Sequence, residues 1–273
     1  MEQDCTHDCS SCGVAGCGDR EEEERPVARK NVKHVFAVFS GKGGVGKSLV
    51  TGLLASALCK QGKKVGILDA DITGPSVPRM FGLKPPLTAD EDGINPAITE
   101  SGIKVISINL MLPQEDLPVA WRGPVINSAI QQFWDEVNWE DVDVLLIDMP
   151  PGTSDVAFTV LRQIPVEGII TVSAPQELVS MIVGKAVNFA KDFEVPVVGL
   201  VENMAYFQCD ECGKKHYIYG DPQGAYVAQK YGIGAYADLP VSPAVAHACD
   251  KGQVENVDIE DMLDSILALF PED

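Results

Sequence analysis

Gly41-Lys42-Gly43-Gly44-Val45-Gly46-Lys47-Ser48 is the stretch on which the reading of this chain turns. It satisfies G-x-x-x-x-G-K-[ST] and lies between an apolar run ending at Phe39 and a helical segment, Lys47 to Gln61. Glycines let the backbone wrap until successive N–H groups and the helix N-terminus face phosphate oxygens. Lys47 then reaches the β and γ groups of ATP, and Ser48 offers a hydroxyl to Mg²⁺. The octet also contains Gly41-x-Gly43-x-x-Gly46, the dinucleotide fingerprint, with Asp69 downstream as a ribose-binding candidate. A dinucleotide loop has no need of the Lys-Ser pair, and Asp69 belongs to an Asp-x-Asp doublet, so the phosphate-loop reading is the stronger one.

Outward from the octet, short runs rich in Val and Ile recur at His34–Phe39, Lys64–Leu68, Ile103–Ile108, Val142–Ile147, Gly168–Val172 and Val197–Val201. Such runs fit strands buried on both faces. They alternate with helical patterns at Val125–Val137, Ser154–Ile164 and Glu177–Phe193, which gives βαβ units. The expected fold is therefore α/β, a P-loop NTPase with a mostly parallel sheet flanked by helices. Open sheets of this kind bind ligands at the carboxyl ends of their strands, and three acids collect there. Asp148 ends one run and is placed to hold Mg²⁺ through water, and Gly152 follows with an N–H for the γ-phosphate. Asp69 and Asp71 end another, and Asp71 is the candidate to orient the attacking water. Taken singly, each acid is an ordinary turn residue or helix cap; beside the P-loop they form a site.

Composition narrows the remaining classes. Across 273 residues, 40 acidic against 21 basic side chains leave a net charge of −19, which repels nucleic-acid phosphates and anionic lipid. Charges interrupt each apolar stretch before the roughly 18 residues a membrane span requires, and Met1–Asp19 is polar rather than signal-like. A cytoplasmic protein without nucleic-acid or membrane partners is expected. Residues 1–31 read as a cysteine-rich flexible tail and residues 32–273 as the ATPase domain. Gly82–Gly102 reads as a surface excursion, and Asp258–Phe270 as an amphipathic helix docked on the body, its polar face too acidic for a membrane surface.

Eight cysteines in a reducing compartment read as metal ligands or core residues. Cys209-x-x-Cys212 supplies half of a tetrahedral site. Zinc within one chain would recruit His216 and either Cys249 or His247. A thioredoxin-like pair is less suited, because the motif lies in a loop rather than at the start of a helix. Cys5, Cys9, Cys12 and Cys17 provide four thiolates in the tail. The first three share the C-x3-C-x2-C spacing of radical enzymes that use S-adenosylmethionine, although no barrel follows. Iron, zinc and a contribution from His7 all stay open there. Cys59 reads as core.

Lys42 gives the octet a second lysine, and in this it resembles the deviant Walker A motif of the nitrogenase iron protein, MinD and ParA class. Further stretches narrow the likeness: Asp69-Ala-Asp-Ile-Thr-Gly-Pro-Ser76, Trp121-Arg-Gly-Pro124, Asp148-Met-Pro-Pro-Gly-Thr153, Val201-Glu-Asn-Met204 and Cys209-x-x-Cys212. Over about residues 33–270 the chain is similar to the Mrp/ApbC group of ATP-binding iron–sulfur carriers. The resemblance implies a homodimer in which Lys42 reaches the partner's ATP, and it implies that Asn203 reads the adenine edge. It further implies that Cys209 and Cys212 of both copies hold one [4Fe–4S] cluster, taken from a cluster source and passed to apo iron–sulfur proteins. Some members carry four N-terminal cysteines at wider spacing than Cys5 to Cys17. Two other classes remain: a positioning ATPase of the MinD/ParA type, for which the chain lacks a basic surface, and a zinc-stabilised nucleotide-binding scaffold.

Overall fold

Side chains along β1 (Val32–Phe39) alternate between two apolar clusters, as the twofold period of a strand requires. Phe36 and Val38 join Leu54, Leu58, Ile67 and Phe270 on one face, whereas Val35, Ala37 and Phe39 join Trp139, Ile147 and Phe133 on the other. Both faces of the sheet are thus covered, the condition under which parallel sheets persist. In this computed structural model the described residues are 31–72, 74, 76–91, 93–112, 123–175 and 179–271. The tail with Cys5, His7, Cys9, Cys12 and Cys17, and the pair Trp121 and Arg122, lie outside them.

After β1 come α1 (Lys47–Lys60), β2 (Val65–Asp69), α2 (Val77–Met80), β3 (Thr88–Asp90), β4 (Gly93–Asn95), β5 (Ala97–Ile98) and β6 (Lys104–Ser107). α3 (Gly123–Asp135), β7 (Val142–Asp148), α4 (Asp155–Gln163), β8 (Gly168–Ser173), α5 (Val179–Asp192), β9 (Val197–Gln208) and β10 (Lys215–His216) follow. The chain closes with α6 (Gly224–Tyr231), β11 (Ala235–Pro240), α7 (Pro243–Asp250) and α8 (Glu260–Leu267). The main sheet runs β10-β9-β8-β1-β7-β2-β6-β5, with β11 also paired to β9. The pairings from β11 through β9, β8, β1, β7 and β2 to β6 are parallel, and β5 and β10 pair antiparallel at the ends.

Register places the functional residues. Val38 pairs with Asp148, and Asp148 pairs with Asp69, so the ends of β1, β7 and β2 are level. α1 leaves the β1 end at once and is buried along most of its length, Val50, Leu54 and Leu58 being fully enclosed. Leu54→Ala would cost about 2–5 kcal/mol in a site so tightly filled.

The expected parallel sheet is present, and three details depart from the reading of the sequence. β9 continues to Gln208, well beyond Val201, so Met204–Gln208 is strand rather than loop. The excursion Gly82–Gly102 contains the β3–β4 hairpin and β5, which extends the sheet edge beside β6. The strand β11 and helices α6 and α7 fall where no element was expected. The docked tail is α8, with Leu263, Ile266 and Leu267 buried and Phe270 edge-on to Phe36 at 4.8 Å between ring centroids. No helix among the described residues is long and apolar enough to cross a membrane.

Candidate functional site

The P-loop begins where β1 ends. Gly44 and Gly46 have φ of 80° and 81°, the left-handed region in which a β-carbon is strained and successive N–H groups turn inward. Gly46 is constrained twice, because a β-carbon there would lie 2.2 Å from Asn203 Nδ2. Lys47 opens α1 and is 6% exposed, and its ammonium donates to Asp148 Oδ1 at 2.7 Å. A buried charge of this kind is tolerated only when paired. Asp148, fully enclosed, also accepts from Ser48 Oγ at 2.5 Å and from Thr51 Oγ1 at 2.8 Å. Asp71 Oδ2 lies 3.8 Å from Lys47 Nζ. Ser48, Lys47, Asp71 and Asp148 therefore lie together at the carboxyl ends of the strands.

Asp69 stands beside Asp148 across the β2–β7 ladder. Burial first, and then the neighbouring Asp148 charge, push its carboxyl well above the usual aspartate range. It accepts from Ser107 Oγ at 3.0 Å and from the Asp71 N–H at 3.1 Å, so it shapes the Asp69–Asp71 turn from beneath. In this structure the Asp69 carboxyl is engaged by donors of the protein itself. Gly152 likewise has a structural bond: its N–H donates to the Ser40 carbonyl at 2.8 Å and ties the turn after β7 to the root of the P-loop. Contact with a γ-phosphate would require that bond to open.

Lys42, on the outer rim of the loop, is exposed. Asn203 is buried beneath the loop and its Nδ2 donates to the Val45 carbonyl at 3.0 Å. The next residue, Met204, has φ of 58°. On one side Asn203 lines a cavity of about 400 Å³ with Leu49, Leu53, Leu239, Pro240 and Val245.

Ser48 and Asp148 offer the hard oxygen donors that Mg²⁺ takes, and the two oxygens lie side by side, 2.5 Å apart. The donor set fits that ion. Thr51 and Ser107 were missed from the sequence. Thr51 alone had a local signal, one helical turn beyond Lys47 on the same face.

The cysteines occupy a different setting. Cys209 and Cys212 lie at the tip of the β9–β10 hairpin, with the Cys209 N–H donating to the Lys214 carbonyl at 3.0 Å and Gly213 N–H to the Cys209 carbonyl at 2.8 Å. Gly213 takes φ of 69° to close the turn. At the root, the Lys215 ammonium sits 3.8 Å from the Tyr206 ring centroid. Cys212 is exposed and Cys209 half-buried. Backbone N–H groups of Cys212 and Glu211, followed by the Cys212 side chain, hold the Cys209 thiol below its ordinary range, which favours the metal-binding thiolate. Burial pushes the Cys249 thiol the other way. Among the described residues no three His, Cys, Asp or Glu side chains converge on a metal position. The zinc set of Cys209, Cys212 and His216 with Cys249 or His247 is therefore not assembled. Cys59 packs against the core, its thiol donating to the Ser101 carbonyl at 3.2 Å.

Known proteins resemble this chain in sequence and fold. The model of the NUBPL iron-transfer P-loop NTPases, a ParA group, matches residues 31–268. An iron–sulfur cluster carrier protein of Clostridium perfringens is 44% identical over 268 residues, 95% of this chain and 94% of its own length. The structure of a nucleotide-binding protein from Archaeoglobus fulgidus in complex with ADP superposes with a TM-score of 0.78 at 40% identity, covering 88% of this chain and 93% of that one. The cell division ATPase MinD of Pyrococcus furiosus, at 19% identity and a TM-score of 0.63 over 87% and 98% of the two chains, shares the fold. On the strength of the P-loop geometry and of a match spanning nearly all of the sequence, this chain belongs to the family of NUBPL iron-transfer P-loop NTPases.

Proposed function

We propose that this protein is an ATP-hydrolysing iron–sulfur carrier that holds a [4Fe–4S] cluster as cargo between two copies of itself and passes it to apo iron–sulfur proteins. One observation carries the reading: a Cys-x-x-Cys, its Cys209 held toward the thiolate by neighbouring N–H groups, stands at a hairpin tip with no third ligand from the described residues of its own chain. Two thiolates leave half of a four-thiolate cluster unbound, and a twofold axis through the tip supplies the matching pair. The Clostridium perfringens relative, a cluster carrier by name, supports the same cargo. The tail cysteines Cys5, Cys9, Cys12 and Cys17 would furnish a second metal centre.

The nucleotide half works by positioning and electrostatics. Lys47 exchanges its bond to Asp148 for the β and γ phosphates, and Asp148 then shares Ser48's role at Mg²⁺, an ion that neutralises phosphate charge. The glycine-rich loop cradles the phosphates, and the cavity beside Asn203 receives the adenine. Asp71, within reach of Lys47, orients the water for in-line attack. Lys42, exposed on the rim, extends to the partner's nucleotide. If the cluster and ATP both favour one dimer geometry, each alters the other's affinity by the same factor.

Anaerobic reconstitution tests the proposal. The expected product is a brown dimer with about two irons per protomer that depend on Cys209 and Cys212, the stoichiometry of one four-iron cluster shared by two chains, counted separately from any metal on the tail cysteines. A colourless monomer in which Cys209 and Cys212 bind no iron overturns it.

A further inference from the structure

Glu202 belongs to neither half of the site, yet its side chain is 0% exposed. Burying a carboxylate costs several kcal/mol unless donors surround it, and here they do. It accepts the Gln223 N–H at 3.3 Å, the Gly224 N–H at 2.8 Å and the Tyr236 hydroxyl at 3.1 Å. Burial and the Glu202 charge push the Tyr236 phenol far above its ordinary range, so it stays a donor.

These contacts matter because of where their owners lie. Residues 223 and 224 start α6, at the point where the chain returns from the cysteine hairpin. Asn203, the next residue along β9, holds the P-loop through the Val45 carbonyl, and Met204 turns the strand with its positive φ before β9 runs on toward Cys209. Consecutive residues of one strand therefore grip the phosphate loop and the far foot of the cysteine loop. Neither grip has slack. A β-carbon on Gly224 would lie 2.7 Å from Glu202 Oε2 and 2.3 Å from the Tyr236 ring. The matching clash of Gly46 with Asn203 closes the other side.

We propose that Glu202 is the positioning residue through which the nucleotide state of the P-loop sets the geometry of the Cys209–Cys212 hairpin. Phosphate entry displaces Val45 and Gly46; Asn203 carries the movement into β9, and the Glu202 clamp makes the returning foot of the cysteine loop follow. What the hairpin holds rests on the carrier reading above, whereas the mechanical link does not depend on it.

The test needs no iron. In the reduced, metal-free, full-length protein, alkylation rates of Cys209 and Cys212 are measured by peptide mass spectrometry, with and without saturating MgADP. We expect nucleotide to change the Cys209 rate by about fivefold or more, the lower range for coupled sites. In Glu202→Gln the ratio falls to near one while MgADP still binds by calorimetry. Tyr236→Phe, which withdraws one donor and leaves the carboxylate, gives an intermediate ratio. A purely structural clamp would lower the melting temperature of Glu202→Gln and leave the ratio intact, and direct shielding of the hairpin by nucleotide would also leave it intact; either outcome overturns the proposal. So does a wild-type ratio near one with nucleotide bound. Should Glu202→Gln not fold, Tyr236→Phe decides, and an unchanged ratio there overturns the link. A chain that alkylates as expected but takes up no iron overturns the carrier reading alone.

Discussion

Asp148 and Cys212 mark two extremes of preparation. At the sheet edge Asp148 is fully enclosed and already has three donors within 2.8 Å: Lys47, Ser48 and Thr51. At the hairpin tip Cys212 faces solvent, and no third ligand from the described residues approaches it or Cys209. The first region is fixed by its own chain before any ligand arrives. The second is complete only when something else joins it. A phosphate site used in every cycle gains from charges already gathered in place, where Lys47 has only to exchange Asp148 for phosphate. A site that must surrender its cargo gains from being half built.

Breaking either region should therefore look different. Cys209→Ala is the most drastic test of the open half: iron at the hairpin should vanish altogether, while the unfolding free energy moves by about 1 kcal/mol or less, as expected of a half-buried side chain outside the apolar clusters. Iron analysis and denaturant titration measure both, and a large stability loss would mean that the tip is not independent. Lys47→Ala strikes the enclosed half, and phosphate release should fall by about 100-fold or more through loss of a preorganised cation. Unchanged turnover would remove the P-loop from the chemistry.

Mixing Lys42→Ala with Asp71→Ala protomers asks whether the closed site also borrows from a partner. Random pairing gives half the dimers one competent site, so about a quarter of wild-type turnover should return. Thr51→Val sharpens the enclosed half, since removing one donor from buried Asp148 should cost about 1–3 kcal/mol in stability, with Thr51→Ser restoring most of it.

The smallest effect concerns Asp69. Its carboxyl is raised in the folded chain, so the stability it contributes is full below the ordinary aspartate value of 3.8 and is lost as pH rises through the raised value. Asp69→Asn stays neutral throughout. It should be more stable than wild type at pH 7, and the advantage should shrink as pH falls toward 4. Thermal melts across that range read the sign directly.

Much of the enclosed region was legible in the sequence because it follows local rules. Val and Ile runs marked strands covered on both faces, and Gly41–Ser48, Asp69, Asp71 and Asp148 could be singled out because each sits at or beside a strand end. What escaped was held by distant partners. Thr51 meets Asp148, and Ser107 meets Asp69, only after β2, β6 and β7 align. β11 was missed because Ala235–Pro240 alternates buried and half-buried positions and carries Asp238 and a proline, a weak strand pattern. β9 was cut short at Val201 because Glu202 and Asn203 look like loop residues until their buried partners are known. α7 has no fully buried residue to set a helical stripe. The hairpin position of Cys209 and Cys212 followed from that extension of β9, and spacing alone could not supply it.

The antiparallel pairing of β9 with β10 has an evolutionary consequence. Residues 209–214 belong to neither apolar cluster of the sheet, so apart from Gly213, which the turn requires, their identity is free to drift without endangering the scaffold. A lineage could rewrite the other five positions, trading one inorganic passenger for another, and inherit the engine unchanged.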